Sequence, residues 1–165
     1  MNEQKIFFYL NLFLITLIGI WLGFSFATFL FPDNFEVQFV TKYIYGETCH
    51  QIPERSFCFD HKSMFICSRC FGIYAGLFAG LILFTSKKLS LRIDRYKFKK
   101  LFIILVLFAV PFISDIILSK LLIYDSGNTF RFTSGFLLFI PFSYFISSSI
   151  NNLSKEIFSK VIHAK

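Results

Sequence analysis

Residues 49–80 read CHQIPERSFCFDHKSMFICSRCFGIYAGLFAG, and this stretch decides the architecture of the chain. It contains all four cysteines and two of the three histidines, followed by a row of glycines that enters an apolar segment. The residues on either side form apolar runs separated by short charged stretches. The sequence therefore predicts a chemically distinctive segment held among hydrophobic helices.

The composition is that of an integral membrane protein. Of the 165 residues, 55% are apolar, above the roughly 45–50% expected of a soluble domain. Four apolar runs approach or exceed the roughly 18 residues that signal a membrane span. A soluble fold would have to bury Phe, Ile and Leu on all sides of several helices in one small core. We therefore expect a single multi-pass domain, residues 1–165, in the cell (inner or cytoplasmic) membrane.

The apolar runs give predicted bounds for the spans and for one long loop. The expected spans are 6–31, 64–85, 101–118 and 132–150, and the outer loop is 32–63. The second span is uninterrupted only over 71–84, about 21 Å of helix, which is short of a hydrocarbon core of about 30 Å. The helix must therefore include 64–70, which places Cys67, Arg69 and Cys70 in its first turns. A turn containing Asp125 and Asn128 joins the third and fourth spans.

The charge pattern predicts the orientation of the spans. The net charge is +7, and seven basic residues lie in the connector 87–100 against one acid, Asp94. These residues are Lys87, Lys88, Arg92, Arg95, Lys97, Lys99 and Lys100. A cluster of basic residues in one connector is typical of a cytoplasmic loop of a membrane protein. It argues against a nucleic-acid-binding surface, which would carry exposed aromatic residues among its basic residues. The predicted fold is an all-α, four-helix transmembrane bundle with both termini cytoplasmic. Membrane lipid is the expected partner, and a homo-oligomer or a membrane partner protein stays open.

Two further patterns concern local structure. Residues 35–45 fit a short interfacial helix with aromatic side chains at the level of the lipid headgroups. Small residues at four-residue spacing let helix backbones approach closely in lipid. Such stripes occur on the first span (Gly19, Gly23) and on the second span (Gly72, Gly76, Gly80). We expect the two stripes to face each other.

The cysteines suggest three kinds of chemistry. Cys67 and Cys70 are one helical turn apart, so both thiols lie on one face, where the helix N-terminus and Arg69 favour the thiolate. With Cys49 or His50 they could bind zinc or another soft transition metal. They could instead form an exchanging redox pair or a plain disulfide. Cys58 and His61 are further candidates that we interpret as loop residues.

Ionisable residues near the outer ends of the spans suggest a polar pocket. Asp115 would be costly inside a membrane unless it is paired or hydrated, and Arg131 or Arg69 can serve as its partner. With Gln51, Arg55 and Asn128, these residues form a predicted pocket that opens outward. A small transporter or a binder of lipid headgroups is therefore a third functional class. No catalytic motif is recognisable, so the sequence leaves open whether the protein is an enzyme.

The motifs resemble those of a known family. The runs Cys49-His50-Gln51, 53–57 (PERSF) and 67–76 (CSRCFGIYAG) are similar to the signature of the domain-of-unknown-function 2085 family of small prokaryotic membrane proteins. The later P-x-x-x-D ending at Asp115 and N-x-x-R-x-x-S-G beginning at Asn128 also resemble it. The resemblance implies a membrane protein without an established activity, and it marks Cys49, His50, Cys67, Cys70, Asp115 and Arg131 as the positions to test. Cys58 and His61 lie outside the pattern.

Overall fold

The computed structural model describes residues 3–85, 98–121 and 126–163. Six helices and two strands occupy these ranges: α1 Glu3–Phe24, α2 Ala27–Leu30, α3 Phe35–Gly46, β1 Ser56–Phe59, β2 Lys62–Cys67, α4 Ser68–Thr85, α5 Phe98–Lys120 and α6 Asn128–His163. A 3₁₀ turn, Pro53–Arg55, precedes β1. The predicted cytoplasmic connector 87–100, apart from its last three residues, and Asp125 lie outside the described residues.

Four of the helices, α1, α4, α5 and α6, are long and apolar enough to cross a membrane. Their outward faces carry large apolar side chains, among which Phe13, Leu107 and Val110 are each more than 60% exposed. An apolar face of this extent fits contact with lipid rather than with water. The prediction of several apolar membrane-crossing helices therefore agrees with the structure.

The glycine stripe of α4 packs against α6. A Cβ atom at Gly76 would lie 2.5 Å from the carbonyl oxygen of Phe136, and one at Gly72 would meet the backbone of Phe132 in the same way. At Gly80 it would meet the Ser143 hydroxyl and, at 2.8 Å, the carbonyl oxygen of Ile140. The expectation that this stripe faces the stripe of α1 is therefore wrong. Gly19 contacts only the side chain of Phe78, and Gly23 has open space beside it. Small-residue spacing predicts a close helix approach but does not identify the partner helix.

We expect Gly76→Leu to separate α4 from α6 and to abolish the folded state, because the added atoms collide with backbone that cannot rotate away. Gly76→Ala is expected to cost about 1–3 kcal/mol, the usual cost of overpacking. Gly23→Ala is the matched control and should not destabilise the fold, because the added Cβ has open space and alanine favours a helix over glycine. Thermal unfolding in detergent micelles measures both. Equal melting temperatures for Gly76→Ala and Gly23→Ala would contradict the close packing of α4 on α6.

The chain is mostly helical, as predicted, but it also contains a β-hairpin, whose second strand includes residues 64–67 that the sequence placed at the start of the second span. β1 and β2 pair antiparallel around Asp60 and His61, whose φ values are 50° and 59°. Positive φ at both central residues is typical of a type I′ turn, which matches the twist of a hairpin. Along β2, Met64 and Ile66 are buried in alternation, as in a strand with one buried face. The helical prediction for 64–67 was therefore wrong, and α4 begins at Ser68.

The other helix bounds differ more modestly. The predicted span 6–31 is interrupted after α1, where the Ser25 hydroxyl donates to the carbonyl of Leu22 at 2.6 Å and competes with helical hydrogen bonding. The helix predicted at 35–45 is confirmed as α3, and the Asn34 side chain caps its first turn. α6 continues well beyond residue 150, so its polar C-terminal part extends past the apolar region.

Candidate metal centre

Three cysteines from three segments come together at one end of the helices. Cys49 lies in the loop after α3, Cys67 is the last residue of β2, and Cys70 is in the first turn of α4. Their three Sγ atoms lie within 4.8 Å of one another. The C-x-x-C pair therefore spans the junction between a strand and a helix and not a single helical turn, as the spacing alone had suggested. We call these three side chains the thiol cluster.

The end of α3 holds Cys49 in position. The buried Tyr45 hydroxyl donates to the carbonyl of Trp21, and the two rings meet edge-on with centroids 4.8 Å apart. The Cys49 amide donates in turn to the Tyr45 carbonyl at 2.8 Å. Burial raises the pKa of Tyr45 to about 12, so its hydroxyl keeps its proton and remains a donor. This contact fixes the end of α3, and with it Cys49, to the C-terminal end of α1.

Gln51 supports the same loop from the other side. Its backbone has a φ of 51°, and its Nε2 donates to the carbonyl of Lys42 at 2.6 Å. A left-handed conformation at a residue other than glycine is costly unless the surroundings hold it, and this hydrogen bond does so. Gln51, which the sequence placed in the polar pocket, therefore acts on the loop that carries Cys49.

The hydrogen bonds around Cys49 favour a thiolate at this position. The backbone N–H of Cys67 donates to Cys49 Sγ at 3.2 Å. Hydrogen bonds from the thiols of Cys67 and Cys70 lower the pKa of Cys49 well below its usual value. The same bond to Cys49 raises the pKa of Cys67, because ionisation would remove the donated proton. One negative charge is thus accommodated on Cys49 and stabilised by its neighbours.

Aromatic side chains surround the cluster. Tyr45, Cys49, Met64 and Ile66 form a buried core, and Trp21, Phe71 and Tyr74 pack on it. On one side a cavity of about 220 Å³ reaches the sulfurs, and His50 lines it. The cluster therefore has an apolar wall and one face that is open to a cavity with both apolar and charged lining residues.

The cluster fits a soft metal ion. Zinc binds thiolate sulfur at about 2.3 Å, so sulfurs at the corners of a tetrahedron lie about 3.8 Å apart. Separations of no more than 4.8 Å exceed that value by at most about 1 Å, a difference that small side-chain rotations would remove. A backbone N–H that donates to a sulfur also stabilises a metal-bound thiolate. Three thiolates with one open position suit zinc, and a trigonal arrangement suits copper in its lower oxidation state.

The fourth cysteine and the two histidines of the stretch 49–80 lie outside the thiol cluster. His50 is exposed and lies outside the cluster, because Cys49, its neighbour in the chain, takes the inward position. Cys58 is exposed on β1, and His61 lies in the hairpin turn. All four cysteines are free, so the cluster contains no disulfide.

A buried ion pair lies next to the thiol cluster. Arg69 donates to Oδ2 of Asp115, and the Ser126 hydroxyl donates to Oδ1. The Asp115 side chain is only 1% exposed, and the Arg69 side chain is 18% exposed. The sequence left Arg69 and Arg131 open as partners of Asp115, and the structure pairs it with Arg69. This contact joins α4 to α5 next to Cys70.

Asn128 connects the start of α6 to the hairpin. Its Nδ2 donates to the carbonyl of Ser56 at 3.0 Å, and its Oδ1 accepts from Arg131 at 3.4 Å. Arg131 itself is fully buried. Ser68, at the start of α4, donates to the carbonyl of Arg55 at 2.9 Å. Asn128 and Ser68 therefore fix the hairpin to the starts of α6 and α4.

Sequence reasoning missed two residues at the end of α5. Ser119 and Lys120 line the cavity beside the thiol cluster. A helical period could have found Ser119, because it lies four residues after Asp115 and so on the same face. The hydrogen bond from Ser126 to Asp115 was also missed, because a serine in a predicted turn is usually explained by its preference for turns.

Comparison with known proteins gives a family but no activity. The family described as predicted membrane protein (DUF2085) matches residues 49–145, more than half of the chain. An uncharacterized protein of Methanocaldococcus jannaschii is 38% identical over 96 residues, which cover 57% of this chain and 58% of that protein. No solved structure matches the chain. The resemblance seen in the sequence is thereby confirmed, and the chain belongs to the DUF2085 family of predicted membrane proteins.

Proposed function

We propose that the protein is a metal-binding membrane protein whose centre is the thiol cluster of Cys49, Cys67 and Cys70. The observation that carries the proposal is the mutual separation of the three sulfurs, no more than 4.8 Å, in a part of the fold with an apolar wall. A structural disulfide needs two cysteines, and a third thiol in contact would have no role in it. Three sulfurs around one point are the arrangement of a soft-metal site.

The ligands would come from elements that the fold holds together independently. α3 positions Cys49 through Tyr45, the hairpin positions Cys67, and α4 positions Cys70. A fourth ligand, water or the His50 imidazole, would enter from the cavity that His50 lines. Zinc or another soft transition metal is therefore the proposed cofactor.

We further propose that the protein lies in the cell (inner or cytoplasmic) membrane with the metal centre on the outer side. α6 begins beside the cluster and runs 36 residues away from it, so Lys155 and Lys160 lie towards the opposite end. Basic residues concentrate on the cytoplasmic side of membrane proteins, which supports cytoplasmic termini and an outward-facing cluster.

The test is the metal content of protein purified in detergent under reducing conditions. We expect about one zinc or copper ion per chain in the wild type, and loss of that ion in Cys49→Ser, Cys67→Ser and Cys70→Ser. Cys58→Ser is the matched control, because this cysteine is exposed and lies outside the cluster. Elemental analysis by mass spectrometry gives the stoichiometry.

A specific result would overturn the proposal. If the wild-type protein neither retains nor rebinds metal, and Cys67 and Cys70 form a disulfide on addition of oxidised glutathione and return to thiols with reduced glutathione, the protein is a thiol-disulfide oxidoreductase. The thiols of Cys67 and Cys70 are free, so the redox function stays open as the alternative outcome.

A further inference from the structure

The cavity beside the thiol cluster has an unusual lining. It lies between the loop after α3, the first turn of α4 and the last turn of α5, and its volume is about 220 Å³. Arg55, Arg69 and Lys120 contribute to its walls, and no acidic side chain is found among its described lining residues. Three cations from three segments therefore face one small space.

Two residues that line this cavity each carry a buried hydrogen-bond donor without an acceptor among the described residues. Ser119 is 5% exposed, and its hydroxyl has no hydrogen-bond partner within the described parts of the chain. The Nε of Arg69 is also buried and unpaired there, although another nitrogen of the same guanidinium donates to Asp115. Buried donors are nearly always satisfied in folded proteins, and these two unpaired donors belong to residues of the cavity wall, close to the space that an acceptor group could occupy.

Two of the three cations at the cavity have no counter-ion in contact with them in the described part of the chain. Asp115 balances Arg69. Neither the side chain of Arg55 nor that of Lys120 forms an ion pair or a hydrogen bond with residues 3–85, 98–121 or 126–163. No hydrogen bond joins these two cations to the sulfurs of the cluster in the same ranges. The two unpaired cations and the unused donors both favour an anion as the ligand of this cavity.

We propose that this cavity binds one small anionic group of the phosphate type, held by Arg55, Lys120 and the Ser119 hydroxyl next to Arg69. The volume lies below the roughly 300–1,000 Å³ of pockets for whole small molecules, so it suits a single group. Arginine forks and lysine ammonium groups are the usual partners of phosphate oxygens. The inference does not depend on a metal in the thiol cluster.

The position of the cavity allows two sources for this group. Lys120 is the last residue of the membrane-crossing helix α5, at the depth where lipid headgroups lie. The phosphate of an anionic lipid could therefore enter from the side, and free phosphate could enter from the aqueous face. Both sources share the same chemistry, and the experiment separates them.

The experiment measures binding of two probes to the purified, delipidated full-length protein. Calorimetry with inorganic phosphate tests the aqueous source, and native mass spectrometry after mixing with phosphatidylglycerol or phosphatidylcholine vesicles tests the lipid source. We expect Arg55→Gln and Lys120→Gln each to reduce the affinity for the probe that the wild type binds by roughly tenfold or more. Ser119→Ala should reduce this affinity less. Lys62→Gln is the charge-matched control, because Lys62 is exposed on β2 and does not line the cavity.

The outcomes divide clearly. Phosphate or phosphatidylglycerol binding that falls in Arg55→Gln and Lys120→Gln supports the anion site, whichever probe shows it. The site is overturned if neither probe binds the wild type, or if both variants bind like Lys62→Gln. It is also overturned if the variants lose metal while anion binding is unchanged, since the cations would then serve only the thiolates. Metal content measured on the same samples keeps the two proposals distinguishable.

Discussion

Asp115→Ala is expected to reduce the free energy of unfolding by about 3–5 kcal/mol, the usual cost of breaking a buried ion pair. Its carboxylate accepts hydrogen bonds from Arg69 on α4 and from Ser126 before α6. Removing it leaves the Arg69 guanidinium without its counter-ion in a poorly hydrated part of the bundle. The Ser126 hydroxyl, which is also buried, loses its acceptor at the same time.

Reversible unfolding of the detergent-solubilised protein by a denaturing detergent measures this loss. Glu156→Ala is the control, because Glu156 and Lys160 form an ion pair with side chains 60% and 75% exposed. Exposed pairs are worth at most about 1 kcal/mol, so this variant should unfold like the wild type. If Asp115→Ala costs no more than Glu156→Ala, the Asp115 carboxylate does not hold α4 to α5.

A double variant separates the charge from the packing. Arg69→Met combined with Asp115→Leu replaces the buried pair with apolar side chains of similar size. Such replacements are often neutral, so we expect the double variant to recover most of the stability lost in Asp115→Ala. A double variant as unstable as the single one would mean that the hydrogen bonds, and not the unpaired charge, carry the effect.

The helices could be predicted from the sequence because their signal is strong and local. Apolar runs of membrane length leave few alternatives, and α1, α4, α5 and α6 fall where these runs lie. The contact between Arg69 and Asp115 was partly predictable for the same reason. An ionisable side chain at the end of a span needs a partner, and only a few candidates existed.

The hairpin could not be recognised, because its signal is ambiguous. The run MFIC at 64–67 is apolar and short, and such a run fits a strand or the start of a helix equally well. The requirement for a spanning length favoured the helix, yet the 18 residues of α4 already cover about 27 Å without it. The turn at Asp60 and His61 was the missed clue, since aspartate tolerates the left-handed conformation.

The choice between Cys49 and His50 also depended on tertiary structure. Adjacent residues in a loop point in different directions, and the sequence does not say which one points inward. The hydrogen bonds of Tyr45 and Gln51 decide it by fixing the loop between α3 and the hairpin. Tyr45 and Gln51 both belong to the predicted loop 32–63, which the hydropathy pattern identifies only as a polar connector.

Removal of the metal from the proposed centre is expected to loosen residues 49–67 while α4, α5 and α6 stay folded. A two-stranded hairpin is marginally stable by itself, and in this part of the fold Met64 and Ile66 are among the few buried side chains. A metal that joins Cys49 and Cys67 to Cys70 would tie this segment to α4, so its binding free energy would add to the stability of the segment. The central helices keep the contacts between the α4 glycines and α6, which do not involve the cluster.

Hydrogen exchange read by mass spectrometry resolves these regions. After treatment with a chelator, amide protection in 49–67 should fall roughly tenfold or more, while peptides from α4 and α6 change little. Cys70→Ser should show the loosened pattern before chelation and no further change after it, and Cys58→Ser should respond like the wild type. Asn128 and Ser68 hold the start of the hairpin without any metal, so protection should persist longest around Ser56. Equal exchange with and without chelator in metal-loaded wild type would mean that the apolar contacts of Tyr45, Met64 and Ile66 suffice to hold the segment.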